Sequence, residues 1–260
     1  MAIKGYANFD WQVPKVVASL LKGKDAEKLY KEVKEDENSF EKNSNLGFLD
    51  YNSNEIRGSN SLRTGQIYRL IGGSKVRVAV PGDDFNGDIY NLIKGKYYTD
   101  FNALVAHKDK PIYEKNNGLW KKVIELAQGK KGNLIFPFMV QGFYVLPDKK
   151  ETGYEVKIVP ASNFEVIVDD RLSGKYNEWN FDKVDEKGLP INLDKSKGNR
   201  TFYTRNDGLS GVCLGGYSVW DSGLNSGGGD LTYSDGYGRV VVVYDTEGVA
   251  PKNFEVGKSD

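Results

Sequence analysis

The sequence has little of the chemistry on which disulfides and zinc sites depend. Among its 260 residues there is one cysteine, Cys213, and one histidine, His107. A single cysteine excludes an intrachain disulfide, and one cysteine with one histidine cannot assemble a Cys/His zinc site. We therefore predict a fold that is held together by packing, with no metal and no cofactor.

The chain also lacks an excess of charge of either sign. Lys plus Arg and Asp plus Glu each number 36. This balance gives no electrostatic reason to expect nucleic acid or an anionic membrane surface as a partner. No apolar run approaches the ~18 residues of a membrane-spanning helix, and the first residues carry no signal-peptide pattern. The default expectation is a cytoplasmic protein without a membrane partner.

Apolar periodicity predicts helices and strands in succession. Residues 13–42 are predicted to be helical because apolar residues recur there at spacings of three and four among many Lys and Glu. Short apolar segments between turn residues follow at 66–71 and 76–80. Further helices are predicted at 88–93 and 119–127, and strands within 133–146, 155–159 and 164–168. Near the end, four valines at 240–243 predict a strand that is buried on both faces.

Residues 206–238 differ from the rest of the chain in composition. This segment holds ten of the 30 glycines and contains no Lys, Arg, Glu, Gln or Met. A random window of that length would lack Lys, Glu, Gln and Met together about once in a thousand draws. A Gly/Ser linker is one interpretation, although aliphatic residues recur in the segment and it leads directly into the valine strand. A run of tight β-turns is another, and it is compatible with a function.

The residue types that are present favour a recognition surface. Tyr and Trp give large, rigid contacts at low entropy cost, whereas Ser, Asn, Asp and Gly give short hydrogen-bonding groups and loop shape. Four aspartates without a cation give the segment a net charge of −4. We expect it to favour a ligand with hydrogen-bond donors or positive charge.

The same segment carries a family resemblance. Its order of motifs is Gly208-Leu209, Val212-Cys213-Leu214, Leu224-Asn225-Ser226 and Asp230-Leu-Thr-Tyr-Ser-Asp-Gly-Tyr-Gly238, followed by Arg239 and the valines. This order resembles the variable region of the target proteins of diversity-generating retroelements, in its archaeal form. In that family, errors at template adenines convert asparagine codons into codons for residues such as Tyr, Ser, Asp and Gly, but not Lys, Glu, Gln or Met. The residue types that are missing from 206–238 match that restriction.

The resemblance implies a fold and a function. The fold is α+β and C-type-lectin-like, with mixed, mainly antiparallel short strands, two or more helices and a last strand near Gly238–Tyr244. The expected organisation is an N-terminal helical segment at 1–46, packed on the core, and a lectin-like domain at 47–260 with a hypervariable region at about 206–238. The implied function is non-catalytic display of this region to a variable target, a protein or a surface glycan, by a chain expected to be a monomer.

The resemblance also implies which residues bind the target. Carried over by position, they are Tyr217, Trp220, Asp221, Ser222, Asn225, Asp230, Tyr233, Asp235 and Tyr237. Tyr233, Asp235 and Tyr237 alternate, so in an extended segment they would share one face. Trp220 departs from the restriction, because adenine changes alone do not convert an asparagine codon to Trp. The resemblance implies that the intervening residues are fixed scaffold, namely Leu214, Leu224, Leu231, Gly238 and Arg239. For Arg239 we predict an ion pair with a carboxylate.

Individual residues give little support for nucleophilic catalysis or calcium binding. Cys213 lies between two aliphatic residues, which predicts a buried, inert thiol. Residues 83–88 resemble a calcium-binding loop, but the glycine comes too early and no Glu follows at the twelfth position, so a turn with helix-capping carboxylates is predicted. His107 has no catalytic partner nearby in sequence and is predicted to be an exposed helix-end histidine.

Two alternative functions stay open. One is a carbohydrate-active or hydrolytic enzyme that uses aspartates of 207–235, and the other is a virion or structural component. Calcium binding by clustered aspartates is also left open. Since no nucleophile, base and orienting residue can be assembled from the sequence, we predict that the chain is not an enzyme.

Overall fold

A seven-stranded sheet lies at the centre of the fold in a computed structural model of the chain. The structure describes residues 17–40, 46–71, 76–107, 111, 113–150, 153–205, 208–216, 223–227 and 230–244. In these residues the α-helices are α1 (Gly23–Glu37), α2 (Ser61–Ile71), α3 (Asp88–Ile93) and α4 (Asn117–Lys131). The strands are β1 (Val17–Leu20), β2 (Asp50–Asn52), β3 (Glu55–Arg57), β4 (Val76–Val78), β5 (Tyr98–Ala106), β6 (Phe138–Pro147), β7 (Val156–Val168), β8 (Trp179–Phe181), β9 (Lys183–Val184), β10 (Pro190–Ile191), β11 (Arg200–Tyr203), β12 (Leu209–Gly215), β13 (Gly223–Asn225) and β14 (Val241–Tyr244).

The strand order of the central sheet is β7-β6-β5-β12-β13-β11-β8. Neighbouring strands are antiparallel, except for the parallel pair of β11 and β13. The register shifts between Gly211 and Cys213, where β12 pairs with β5. The described strands are therefore mixed and mainly antiparallel, as the sequence predicted.

The two faces of the central sheet are covered differently. Because side chains alternate along a strand, Phe101 of β5 and both Val212 and Leu214 of β12 enter one hydrophobic core. On the opposite face, Leu104 and Val140 belong to a second core, which α2 and α4 cover over β5, β6 and β7. Farther along this second face, over β12, β13 and β11, the sheet opens into a pocket.

The last strand lies in the middle of a smaller sheet of order β1-β14-β4. Val241 and Val243 of β14 pack into the first core, whereas Val242 packs into a third core with α1 and α2. The strand is thus buried on both faces, which confirms the prediction from the four valines. Its burial fixes the chain immediately after the glycine-rich segment.

Two local predictions differ from the structure. Residues 17–20 form a strand rather than a helix, because they pair with β14 from the far end of the chain. Residues 156–159 and 164–168 fall within one edge strand, β7, which continues through Pro160 because an edge strand tolerates a missing N–H. In each case pairing or packing with distant residues outweighs the local pattern. The short apolar segment at 66–71 forms the second half of helix α2.

The described chain is mixed α/β with several sheets and four helices, compatible with the α+β class. The division of the chain between residues 46 and 47 stays a prediction. Within the ranges given above, no helix has the length and apolar character needed to cross a membrane.

Candidate functional site

A pocket of about 570 Å³ lies on the second face of the central sheet. Its base is formed by β5, β11, β12 and β13, and its walls by the start of α2, Tyr113 and residues 230–238, which we call the display loop. The lining residues are Asn60, Ser61, Tyr98, Asp100, Tyr113, Tyr203, Gly211, Cys213, Gly215, Gly223, Asn225, Asp230, Leu231, Tyr233, Asp235 and Tyr237.

Glycines give the pocket its depth. Gly211, Gly215 and Gly223 stand at strand positions that face the pocket, so the sheet carries no side chains there. A Cβ atom at Gly211 would collide with Ser61 Oγ, and one at Gly223 would collide with the carbonyl oxygen of Thr201 on the neighbouring strand. Part of the glycine excess of residues 206–238 is therefore explained by the base of this pocket.

A buried carboxyl group lies at the base of the pocket. Asp100 on β5 is 9% exposed and pairs across to Cys213 on β12. Its backbone N–H donates to Ser59 Oγ at 2.9 Å, whereas its Oδ2 has no hydrogen-bond partner among the described residues. Burial raises the pKa of Asp100 to about 7, with a hydrogen bond from Ser59 opposing and the charge of Asp235 adding to the shift. Near neutral pH the carboxyl therefore changes its charge.

The two titratable groups beside Asp100 stay neutral near pH 7. Burial, followed by the charges of Asp100 and Asp235, raises the pKa of the Cys213 thiol well above its usual range. Burial likewise raises the pKa of the Tyr98 hydroxyl. Because the thiolate is the nucleophilic form, a neutral Cys213 is a poor nucleophile.

The prediction of a buried, inert thiol at Cys213 holds only in part. The raised pKa keeps the thiol a poor nucleophile, but the residue is of intermediate exposure and lines the pocket instead of the core. The reason is the alternation of β12, which sends Val212 and Leu214 into the core and turns the residue between them to the opposite face. The thiol therefore contributes to the pocket surface.

The display loop is held by hydrogen bonds to the scaffold. Ser234 Oγ donates to the carbonyl oxygen of Phe48 and accepts from the N–H of Ser59, both at 2.8 Å. The Tyr98 hydroxyl accepts from the N–H of Asp235 at 3.0 Å. Since these bonds use backbone groups and a serine between the predicted variable positions, they hold the loop independently of the exposed side chains.

Two arginines support the display loop without lining the pocket. Arg57 Nε and Arg239 Nη1 donate to the carbonyl oxygen of Gly236 at 3.3 and 2.8 Å. Arg239 also forms an ion pair with Glu55, at 3.2 Å, and its guanidinium lies over the ring of Tyr97. The ion pair predicted for Arg239 is thus confirmed.

The pocket lining is acidic. Among its described residues it contains three carboxyl groups and no Lys, Arg or His. The carboxyls belong to Asp100 at the base and to Asp230 and Asp235 on the display loop. Negative charge raises the pKa of the Tyr233 hydroxyl as well, because Asp235 lies beside it. The electrostatics of the pocket favour a cation or a donor-rich group over an anion.

Five of the nine predicted ligand-binding residues line this pocket: Asn225, Asp230, Tyr233, Asp235 and Tyr237. Tyr233 and Tyr237 are 65% and 50% exposed, and the Tyr233 hydroxyl donates to Asp235 Oδ2 at 3.3 Å. The buried Leu231 and Gly238 separate these positions from the core. The remaining four predicted residues, Tyr217, Trp220, Asp221 and Ser222, lie outside the described residues.

The display loop is a series of turns rather than the extended segment that alternation suggested. The Asp230 and Asp235 carboxylates accept from the N–H groups of Thr232 and Tyr237, at 3.0 and 2.8 Å. Such local side-chain to backbone bonds compete with strand pairing. Tyr233, Asp235 and Tyr237 nevertheless line the same pocket, because the turns fold around it.

Sequence analysis missed the lining residues that come from outside the glycine-rich segment: Asn60, Ser61, Tyr98, Asp100, Tyr113 and Tyr203. These residues are distant in sequence, and the strand pairing of β5 with β12 and of β11 with β13 brings them together. One signal was present. Asp100 is an acidic residue within the buried strand β5, and a charged residue in such a strand is uncommon unless it is paired or functional.

His107 is not an exposed helix-end residue, so that prediction is wrong. It follows the central strand β5, and its ring is 2% exposed. Nδ1 lies 3.0 Å from the carbonyl oxygen of Leu172, and Nε2 lies 2.8 Å from that of Ser226. The histidine therefore links three segments of the fold, one of which belongs to the glycine-rich segment.

The turn at 83–88 caps a helix, as predicted. Asp84 Oδ1 accepts from the N–H of Tyr90 at 2.8 Å in the first turn of α3, and Asp83 Oδ2 accepts from the N–H of Val80 at 2.8 Å. In the described part of the chain, no group of three or more His, Cys, Asp or Glu side chains is placed to hold a metal ion.

Comparisons with known proteins supply no relative for this fold. No protein-family model, curated protein or solved structure matches the chain. What the pocket binds therefore has to follow from its own geometry and chemistry.

Proposed function

We propose that this chain is a non-catalytic binding protein that presents a diversified surface to a variable target, a protein or a surface glycan. The observation that carries the proposal is the common pocket lined by Asn225, Asp230, Tyr233, Asp235 and Tyr237. Each of these residues occupies a position at which the sequence resembles a retroelement-diversified one. Their convergence on one concave surface supports a shared role in binding.

The separation of binding residues from scaffold residues also supports the proposal. Asn225, Asp230, Tyr233 and Tyr237 are exposed, whereas Leu224 and Leu231 beside them are buried. Tyr233 and Tyr237 can therefore change at small cost in stability, because surface substitutions away from caps and ion pairs usually alter the free energy of unfolding by less than about 0.5 kcal/mol.

A C-type-lectin-like topology is part of the same proposal. It is supported by the position of the last strand, β14, which follows the display loop closely in sequence and lies in the core. In proteins with diversified C-terminal regions, the strand after the variable segment belongs to the conserved fold, and β14 matches that role.

Binding rather than covalent chemistry is favoured by the groups at the base of the pocket. The thiol of Cys213 is held neutral by its raised pKa, and Asp100 and Asp235 beside it increase that shift. The exposed tyrosines on the wall are residues that commonly dominate protein recognition.

Population sequencing tests the proposal directly. The 3′ end of the gene is amplified and deeply sequenced from natural populations of the source organism. We expect substitutions to concentrate at the bases that correspond to template adenines in the codons for residues 225, 230, 233, 235 and 237. A template that nearly copies this 3′ end should lie beside a reverse-transcriptase gene.

The matched controls are the codons for the buried residues 224, 231 and 238 and for strand β5. These codons should stay constant in the same reads. Substitutions spread evenly over pocket, core and β5 codons would contradict diversification of the pocket.

A further inference from the structure

The pocket contains two buried polar atoms whose hydrogen-bonding capacity is unused within the described residues. They are Oδ2 of Asp100 and Oγ of Ser61, and both residues line the pocket. Asp100 is 9% exposed and Ser61 is fully buried. Burying such a group without a partner costs free energy, so native proteins usually pair it with protein, water or ligand.

Asp100 lies outside the segment that we propose to be diversified. It stands on β5, with Cys213 opposite on β12, and Ser59 is its hydrogen-bond partner. Its position is therefore set by the sheet and not by the display loop. A carboxyl held in this way would be common to every variant of the loop.

We infer that the pocket takes a cationic nitrogen group of the target, an ammonium or a guanidinium, and that Asp100 is the fixed residue that selects it. This inference rests on the proposed function and adds a ligand class to it. The cation donates to Oδ2 of Asp100 and has Ser61 Oγ as a second acceptor. Asp235 and Asp230 on the display loop add negative charge around it.

The shape and lining of the pocket fit such a group. Its volume of about 570 Å³ lies within the range of ligand pockets and exceeds that of one lysine or arginine side chain, so neighbouring parts of the target enter too. The rings of Tyr98, Tyr233 and Tyr237 also line the pocket, and aromatic faces attract cations. Since the described carboxyls do not form a metal-binding group, an organic cation fits better than a metal ion.

The inference divides recognition between constant and variable residues. Asp100 fixes a preference for a cation at the base of the pocket. Variable residues on the rim, such as Tyr233 and Tyr237, then determine which groups next to that cation on the target can be bound. A diversified repertoire built in this way would keep one anchor and vary the surface around it.

Small probes test the chemistry of the anchor. The full chain is titrated with n-butylammonium, n-butylguanidinium and neutral n-butanol, and binding is followed by amide NMR shifts. We expect the two cations to shift signals of pocket residues and butanol to have a much smaller effect. Asp100→Asn should weaken cation binding at least about tenfold, because it removes the charge but keeps the shape.

Asp230→Asn is the matched control, since it makes the same substitution at an exposed carboxyl of the same pocket. We expect it to weaken cation binding by less than about threefold, because solvent screens an exposed charge. Equal binding of butanol, or unchanged cation affinity in Asp100→Asn, would overturn the inference.

The dependence of cation binding on pH gives a second readout. The group that must be charged is Asp100, and it is faced by Tyr98 from its own strand, Cys213 from β12 and Asp235 from the display loop. Because its pKa is about 7, affinity should rise as the pH increases through 7 and level off above it. Asp100→Asn should abolish this rise, and a rise that persists in the variant would contradict the assignment to Asp100.

A displayed library of random peptides distinguishes a target side chain from a free amine. Peptides selected on the wild-type chain should be enriched in Lys and Arg, and selection on Asp100→Asn should remove that enrichment. If the small cations bind but the selected peptides are not enriched in Lys or Arg, the ligand is still an organic cation, and its source is a free small amine. The inference would be overturned by peptides that show no preference for Lys or Arg but still bind the pocket, as judged by loss of their binding in the double variant Tyr233→Ser/Tyr237→Ser. That outcome would leave the proposed function intact.

Discussion

Individual buried polar residues in this protein fall into two classes. Asp84 and Arg200 form an ion pair at 2.8 Å, and both side chains are almost fully buried. Arg200 also donates to the carbonyl oxygen of Asp182, so its charge is well satisfied. Asp100, in contrast, keeps one carboxylate oxygen unpaired within the described residues. Asp100 differs from other buried residues with an unpaired polar atom, such as Gln141, because it lines the pocket.

Removing one partner of the buried ion pair should be costly. Arg200→Met leaves the Asp84 carboxyl buried without its cation, and we expect the free energy of unfolding to fall by about 3–5 kcal/mol. The control is Lys28→Met, which breaks an exposed pair with Glu32 on α1 and should cost less than about 0.5 kcal/mol. Chemical denaturation of both variants measures the difference, and similar losses in the two would contradict this interpretation.

Asp100 should make stability depend on pH in a defined direction. Burial raises its pKa from 3.8 to about 7, so between these values the folded state holds more protons than the unfolded state. Its contribution to the free energy of unfolding therefore decreases as the pH rises from about 4 to 7. Asp100→Asn removes this contribution, so the stability of the variant relative to wild type should increase by about 2–3 kcal/mol between pH 5 and pH 8.

Denaturant unfolding of wild type and Asp100→Asn at both pH values measures the effect. A stability difference that is the same at pH 5 and pH 8 would show that the pKa of Asp100 is not raised in the folded state.

At the scale of elements, helix α2 determines where the covered part of the sheet ends and the pocket begins. It packs on β5 and β6, and its first residue, Ser61, lines the pocket. Gly65 in this helix allows the close approach, because a Cβ atom there would lie 2.6 Å from Val145 Cγ2 and 3.2 Å from the Phe143 ring. Both of those side chains are fully buried and have little room to move.

The same substitution in two helices tests this close packing. Gly65→Ala should lower the free energy of unfolding by about 1–3 kcal/mol, because overpacking exceeds the gain in helix propensity. Gly129→Ala in α4 meets no atom within 4 Å and should raise stability by up to about 1 kcal/mol. Thermal unfolding of the two variants measures the contrast, and a Gly65→Ala variant as stable as Gly129→Ala would contradict it.

At the scale of the whole molecule, the display loop lies between two parts of the core. Before it, Leu224 of β13 packs against the central sheet, and after it β14 pairs with β1 and β4. The N–H of Ser59 donates to Ser234, and the Tyr98 hydroxyl accepts from the N–H of Asp235, so the scaffold also holds the loop between its ends. The loop is thus attached at both ends and along its length.

This attachment predicts a pattern of tolerance to substitution. In a saturation scan of residues 223–240 scored by protease resistance, exposed positions 225, 230, 233 and 237 should accept most residue types. Buried positions 224, 231 and 238 should reject polar or larger residues, and Leu231→Ser should cost about 2–4 kcal/mol. Equal tolerance at Tyr233 and Leu231 would contradict the separation of surface from scaffold.

Sequence-based prediction succeeded where a signal is local. The spacing of apolar residues identified α3 and most of α4, and four valines identified the buried strand β14. It failed for residues 17–20, where pairing with β14 makes a strand of a segment with helical spacing. It failed for His107 as well, because the carbonyl oxygens that surround the ring come from Leu172 and Ser226, which are remote in sequence.

The amino-acid sequence by itself determined which segment of this protein is unusual, because a restricted set of residue types is visible without a fold. It also determined the acidic character of that segment, since charge is a matter of composition. The tertiary structure decided that these residues surround a pocket and that Asp100 lies at its base. The reason is physical. Strands β5 and β12 pair although their partnered residues lie more than 100 positions apart in the sequence, and burial, which composition alone does not specify, raises the pKa of the Asp100 carboxyl.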